Sequence, residues 1–200
     1  MAKELLKALP NWLTLLRIAL VPVLVALLHN PSRISLMAAT AVFLFASLTD
    51  YLDGWLARKY RLVSDMGKLL DPLADKILIM SALIMLVAQR SDLTGEPWVP
   101  GWVVVLILGR EIWVTGLRSI ASSKGVVMGA ETTGKYKTAT QIAAISCLIL
   151  HYPIKISGFT INFHYIGINL LIVSVIFSLW SAVDYTTEVF HTMPSAAKSK

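Results

Sequence analysis

Six long apolar runs dominate this 200-residue chain and restrict it to a membrane protein. A helix needs about 20 predominantly apolar residues to cross the hydrocarbon core of a bilayer. Only 15% of the residues are charged, against about 25% in ordinary soluble domains. We therefore expect an all-α integral membrane protein, a single domain over 1–200 with six transmembrane helices. The runs lie at 12–28, 34–57, 69–88, 98–119, 138–152 and 161–187.

The two ends of the chain differ from these runs. Residues 1–10 place three leucines on one helical face and Lys or Glu elsewhere, a pattern typical of a short amphipathic helix that lies at the membrane interface. Pro10 has no amide hydrogen to continue the hydrogen-bond ladder, so we expect that helix to end there. We expect residues 193–200 to form a flexible tail.

Basic residues in the connections are divided unequally between the two sides of the membrane. Twelve Lys and Arg lie at the N-terminus, in the loops at 58–68 and 118–137 and in the tail, against three in the opposite connections. Cytoplasmic loops carry the excess of Lys and Arg. We expect both termini and any site near these loops to face the cytoplasm from a cell (inner) membrane, and the net charge of +6 requires no nucleic acid partner.

Eight ionisable residues lie inside the apolar runs, where charges are costly and normally face the interior of a helix bundle. At a rise of about 1.5 Å per residue, several lie roughly 9–12 Å below the cytoplasmic helix ends. This common depth predicts one polar cavity open to the cytoplasm. The eight are Arg17, Asp50, Asp53, Asp71, Asp75, Lys76, Arg110 and Glu111.

Four of these residues are aspartates on the second and third spans. At about 100° per residue, Asp50 and Asp53 share a face of one helix, and Asp71 and Asp75 share a face of the next. Four like charges in a low dielectric repel one another unless cations join them. Oxygen ligands favour Mg²⁺ or Mn²⁺, and two such ions are suited to clamp a diphosphate.

The spacing of these aspartates, with small residues and an arginine between them, resembles the signature of the CDP-alcohol phosphatidyltransferases. It reads Asp50-x2-Asp53-Gly54-x2-Ala57-Arg58-x8-Gly67-x3-Asp71-x3-Asp75. The resemblance implies a six-span homodimeric enzyme with two divalent cations, which transfers a phosphatidyl group from a CDP-linked donor to a hydroxyl and releases CMP. It also implies metal ligation by Asp50, Asp53, Asp71 and Asp75, with Asp75 as general base, and a CDP pocket shaped by Asp50, Gly54, Ala57, Arg58 and Gly67.

Further blocks, at 10–17, 110–118, 134–141 and 179–181, resemble the members of this family that use CDP-diacylglycerol as donor and glycerol 3-phosphate as acceptor. Such a small dianion requires several cations near the carboxylates. The acceptor candidates are Arg110 and Arg118 on the fourth span and Lys135 and Lys137 at the start of the fifth. Further pocket candidates are Asn11, Thr14 and Arg17.

Three buried charges have open roles at this stage. Arg17 is equally suited to the acceptor pocket and to pairing with a signature aspartate. Glu111 projects about 100° away from Arg110, so we expect it to pair elsewhere. Lys76 is expected to face away from its neighbour Asp75.

Other functions also remain open. The same chemistry serves inositol phosphate, serine or phosphatidylglycerol as acceptor. Intramembrane prenyl transferases hold diphosphates through Asp and Mg²⁺, but we expect them to lack the Gly-x2-Ala-Arg element. A cation transporter needs an exit on the far side, whereas the buried charges here all lie nearer the cytoplasm.

Overall fold

The computed structural model describes the backbone of residues 2–60, 65–91, 95–124, 132–156 and 159–197. It describes side chains for residues 12–50, 70, 73–91, 95–124, 137–155 and 160–192. Within these ranges the chain is predominantly helical, as expected. The helices are α1 (Ala2–His29), α2 (Arg33–Tyr60), α3 (Asp65–Ala88), α4 (Gly101–Ser123), α5 (Thr132–Leu150) and α6 (Phe163–Ala197).

Three segments among the described residues are long and apolar enough to cross a membrane. They are Trp12–His29 in α1, Arg33–Asp50 in α2 and Phe163–Thr192 in α6. Helices α3 and α4 are comparable in length, but each carries several charged residues within its apolar run. The chain is therefore a helical membrane protein, and the charges within α3 and α4 include residues expected at the functional site.

The predicted ends of the chain require correction. Helix α1 runs without a break through Pro10, so the expected helix end at that residue is wrong. The neighbouring Leu, Lys and Ala residues favour helix and support its continuation. The interfacial position of these first turns remains a prediction. Helix α6 extends to Ala197, so most of the tail predicted at 193–200 is helical as well.

The connection between α5 and α6 contains a small β-hairpin that the sequence pattern did not predict. Strands β1 (Pro153–Ile156) and β2 (Phe159–Asn162) are antiparallel, with Pro153 opposite Asn162. The Asn162 side chain accepts hydrogen bonds from the backbone amides of His164, at 3.1 Å, and Tyr165, at 3.4 Å. It thereby caps the first turn of α6 and fixes where that helix begins.

The hydrophobic core occupies one end of the helices, which we call the apolar end. It includes Leu24, Phe43, Leu83 and Leu148, each with no exposed surface. The opposite end of the same helices, which we call the charged end, contains Arg17, Asp50, Asp75, Arg110 and Lys137. In each of these five helices, α1 to α5, the core residues occupy one part of the helix, and the charged residue lies just outside that part.

Helices α5 and α6 lie close together at a glycine. A Cβ atom on Gly167 would lie 2.6 Å from Cγ of Leu148, well inside the distance at which carbon atoms repel. Small residues allow such close helix packing in membrane proteins. Gly167 therefore fixes how these two helices fit together at the apolar end.

Candidate active site

Helices α3, α4 and α5 enclose a cavity of about 100 Å³ at the charged end. Asp75 lines it, together with Lys76 of the same helix, Glu111 of α4 and Lys137 of α5. Ionisable groups at this depth normally face an interior where they have a function. The lining residues are Asp75, Lys76, Ile79, Met80, Ile107, Leu108, Glu111, Lys137, Thr138 and Gln141.

An ion pair between α1 and α2 lies beside this cavity. The Arg17 guanidinium contacts the Asp50 carboxylate. Arg17 and Thr14, one turn apart on α1, have no exposed surface, whereas the Asp50 side chain is 37% exposed. The pairing answers one open question, because Arg17 is a partner of a signature aspartate. The charges of Arg17 and Asp50 also act on the carboxyl group of Asp75.

Glu111 joins two of the cations that were predicted to bind the acceptor. Its Oε1 atom accepts a hydrogen bond from Nη1 of Arg110 at 2.8 Å and also contacts Nζ of Lys137. Glu111 therefore pairs elsewhere, with Lys137, as expected, but it also pairs with Arg110, which was not expected. The direction of a Cα–Cβ bond does not limit the reach of a long side chain, and the flexible Arg110 side chain closes the gap.

The remaining contacts of Arg110 are with α6. Its Nε atom donates to the backbone oxygen of Ser178 at 3.0 Å, and Nη2 donates to Oγ of Ser181 at 3.2 Å. Arg110 is thus bonded to Glu111 on its own helix and to two serines of α6. Its contact with the cavity is indirect, because Glu111 lines the cavity.

Arg118 lies on another part of the α4 surface. Its guanidinium carbon is 5.8 Å from the centre of the Tyr185 ring, within the range of a cation–π interaction. Tyr185 belongs to a second apolar cluster between α4 and α6, with Val114, Leu117 and Val189. The structure therefore brings Lys137 into the cavity, Arg110 to its edge, and Arg118 to the contact between α4 and α6.

Lys76 lines the same cavity as Asp75, so the expectation that it faces away is wrong. Its Nζ atom contacts the hydroxyl of Thr115 on α4, and that hydroxyl donates to the backbone oxygen of Glu111 at 2.6 Å. The side chain of Lys76 thereby connects α3 to the turn of α4 that carries Glu111.

Gln141 and Thr138 also line the cavity, but no role was assigned to them from the sequence. Gln141 lies four residues after Lys137 on α5, and residues at that spacing share a helix face. This spacing is the signal from which Gln141 was predictable once Lys137 had been chosen.

The side chains of several predicted site residues lie outside the part of the chain that the structure describes. Among the side chains that the structure describes, no group of three His, Cys, Asp or Glu residues lies close enough to hold a metal ion. Asp50 and Asp75 offer the hard oxygen ligands that Mg²⁺ and Mn²⁺ prefer. The residues outside this part are Asn11, Asp53, Gly54, Ala57, Arg58, Gly67, Asp71 and Lys135.

Comparison with known proteins identifies the family of this chain. The family model for CDP-alcohol phosphatidyltransferase matches residues 7–180. The chain belongs to the CDP-alcohol phosphatidyltransferase family. It is therefore an enzyme, a transferase of phospholipid biosynthesis, and divalent metal dependence is typical of its family.

Curated relatives resemble the chain over much of its length. A protein from Bacillus subtilis (strain 168) named CDP-diacylglycerol--glycerol-3-phosphate 3-phosphatidyltransferase is 37% identical over 201 residues, which cover 94% of this chain and 98% of the relative. A Rickettsia bellii protein of the same name is 42% identical over 142 residues, covering 71% of this chain and 75% of its own. A cardiolipin synthase (CMP-forming) from rice is 32% identical over 199 residues, covering 94% and 59% respectively.

Proposed function

We propose that this phosphatidyltransferase transfers the phosphatidyl group from CDP-diacylglycerol to sn-glycerol 3-phosphate, giving phosphatidylglycerol phosphate and CMP. The observation that carries the proposal is the cavity at the charged end, where Asp75 of α3 lies beside the buried Lys137 of α5. A carboxylate suits proton removal from a hydroxyl, and an ammonium suits binding of a phosphate. The names of the Bacillus and Rickettsia relatives support the same donor and acceptor.

In the proposed reaction, Asp75 removes the proton from the 1-hydroxyl of glycerol 3-phosphate. The resulting oxygen attacks the donor phosphorus that bears the diacylglycerol, the new P–O bond forms, and the P–O bond to CMP breaks. Lys137 and Lys135 on α5, with Arg110 at the edge of the cavity, orient the acceptor through its phosphate. Arg118, which packs on Tyr185, is proposed to attract the acceptor from farther away.

The donor side of the site is assigned to the signature. Two divalent cations, Mg²⁺ or Mn²⁺, are proposed to be held by Asp50, Asp53, Asp71 and Asp75. When bound, these cations would neutralise the negative charge of the donor's diphosphate. The residues proposed to shape the CDP pocket are Asp50, Gly54, Ala57, Arg58 and Gly67, and those proposed to line the pocket further are Asn11, Thr14 and Arg17.

For the membrane arrangement, we propose that all six helices cross a cell (inner) membrane as one domain. Both termini and the active site then face the cytoplasm, which agrees with twelve basic residues in the connections on that side against three on the other. The enzyme is proposed to act as a homodimer, as the family resemblance implies.

Phosphatidylglycerol is the second candidate acceptor, because one relative is named a cardiolipin synthase. Purified enzyme with CDP-diacylglycerol should be given glycerol 3-phosphate, inositol phosphate, serine or phosphatidylglycerol, one at a time, and CMP release measured. We expect glycerol 3-phosphate to give the highest kcat/KM. A higher value with any other acceptor would overturn the proposed function. Flux of a divalent cation into liposomes without CMP release would instead indicate a transporter.

A further inference from the structure

One oxygen atom of Glu111 binds two cations from different helices. Oε1 accepts from Arg110 on the same helix at 2.8 Å and contacts the ammonium of Lys137 on α5. Glu111 and Lys137 both line the cavity that contains Asp75. Glu111 therefore links two positive charges, that of Lys137 in the cavity wall and that of Arg110 at the cavity's edge.

The two cations depend on Glu111 to different degrees. Arg110 has further hydrogen bonds to Ser178 and Ser181 of α6. For the Lys137 ammonium, the Glu111 carboxylate is the ion-pair partner within the described side chains, and the Lys137 side chain is only 8% exposed. An ammonium so deeply buried is costly without a carboxylate beside it. Loss of the Glu111 charge should therefore let Lys137 shift towards Asp75, the other carboxylate that lines the cavity, and leave Arg110 in place.

We propose that Glu111 is a positioning residue for the acceptor: it holds Lys137 at the wall of the cavity, where that ammonium can bind the acceptor's phosphate. This inference rests on the proposed function and adds to it a residue that acts through Lys137. Glu111 itself carries a negative charge that would repel a phosphate, so its contribution to acceptor binding is indirect.

The test compares four enzymes by CMP release: wild type, Glu111→Gln, Lys137→Met and the double variant. Glutamine keeps the shape of glutamate and removes only its charge. We expect Glu111→Gln to raise the KM for glycerol 3-phosphate by about tenfold to a hundredfold, since a small misplacement of a binding group has effects of that size. The KM for CDP-diacylglycerol should change by less than about twofold.

The double variant distinguishes positioning from an independent role. If Glu111 acts through Lys137, adding Glu111→Gln to Lys137→Met should raise the KM for glycerol 3-phosphate no further. Effects that multiply, an equal rise for both substrates, or no rise with Glu111→Gln would each overturn the inference. Glu188→Gln, the same change at an exposed position of α6, is the matched control and should behave as wild type.

Two further outcomes keep the test decisive. If Glu111→Gln cannot be purified in folded form, Glu111→Asp retains the charge on a shorter side chain and should raise the KM for the acceptor alone, by less than Lys137→Met does. If the wild type prefers another phosphate-bearing acceptor, the proposed function fails and the same variants test Glu111 with that acceptor. A preference for serine, which has no phosphate, would overturn both.

Discussion

The two ends of the helix bundle are held together by different interactions. At the apolar end, helices meet through buried aliphatic and aromatic side chains, and α5 and α6 approach so closely that only glycine fits at position 167. At the charged end, ion pairs and hydrogen bonds join the helices, including Arg17 with Asp50 and Lys137 with Glu111. The comparison indicates that stability depends mainly on the apolar end and that the charged end determines the reaction.

This division has a physical basis. Ionisable groups inside a membrane protein cost free energy, and an ion pair offsets that cost only partly. Close packing at the apolar end carries no such cost and stabilises the fold through many small contacts. Substitutions at the charged end should therefore change activity more than stability, and substitutions at the apolar end should do the reverse.

The largest effect is expected for Asp75→Asn at the charged end. Asparagine has nearly the same shape but cannot accept the proton of the acceptor hydroxyl, so kcat should fall at least about 1,000-fold. The thermal unfolding temperature in detergent should remain close to that of the wild type. The expected loss of activity without loss of stability would be contradicted if this variant kept a tenth or more of the wild-type kcat, or if it lost activity only because it unfolded.

A smaller effect on activity is expected for Arg17→Met. Methionine fills similar space but leaves the Asp50 carboxylate without its guanidinium. Loss of a partner that orients a metal ligand typically lowers activity or metal affinity by about 10–100-fold. The variant should therefore need more Mg²⁺ or Mn²⁺ than the wild type for half-maximal CMP release. Because Asp50 is 37% exposed, water can replace the lost partner and the carboxylate is not left buried without one, so stability should change less than activity.

An unchanged metal requirement in Arg17→Met would show that Arg17 has no influence on the site. Arg33→Met, at the exposed start of α2, is the control for loss of an arginine charge. It should leave both the activity and the metal requirement as in the wild type.

Packing at the apolar end is tested by Gly167→Ala, with Gly109→Ala on α4, next to Arg110, as the matched control. The added methyl group on residue 167 would overlap Leu148, whereas nothing lies within 4 Å of the corresponding position at residue 109. Overpacking of this kind costs about 1–3 kcal/mol, which should lower the unfolding temperature of Gly167→Ala alone. Its activity per folded molecule should stay near the wild-type value. Equal stability of the two variants would contradict the packing described for α5 and α6.

Much of the fold was predictable because apolar runs report helices directly. The run at 98–119 corresponds to α4 at 101–123, and the run at 161–187 to α6 at 163–197. The hairpin at 153–162 was not predictable, since two strands of four residues each are too short for alternation to be recognised. Pro10 misled the prediction because one missing hydrogen bond does not end a helix whose flanking residues favour it.

The site was predicted less completely, for a different physical reason. Helical periodicity gives the direction of each Cα–Cβ bond, and it drew attention to Arg17, Asp50 and Asp75, which the structure places at the charged end. It does not give the position of a charged group four or five bonds further out. The contacts that long side chains make at their ends were therefore missed: Lys76 reaches Thr115 of α4, and Glu111 pairs with Arg110 as well as with Lys137.

The most direct test of the central claim is ³¹P NMR of the purified enzyme with CDP-diacylglycerol, glycerol 3-phosphate and Mg²⁺. We expect CMP together with one lipid product that carries a phosphodiester and a phosphomonoester in equal amounts. The wild type should form this product, and it should be absent with Asp75→Asn or after chelation of the metal. Formation of that product by Asp75→Asn at the wild-type rate, or no such product from the folded wild type, would contradict the account.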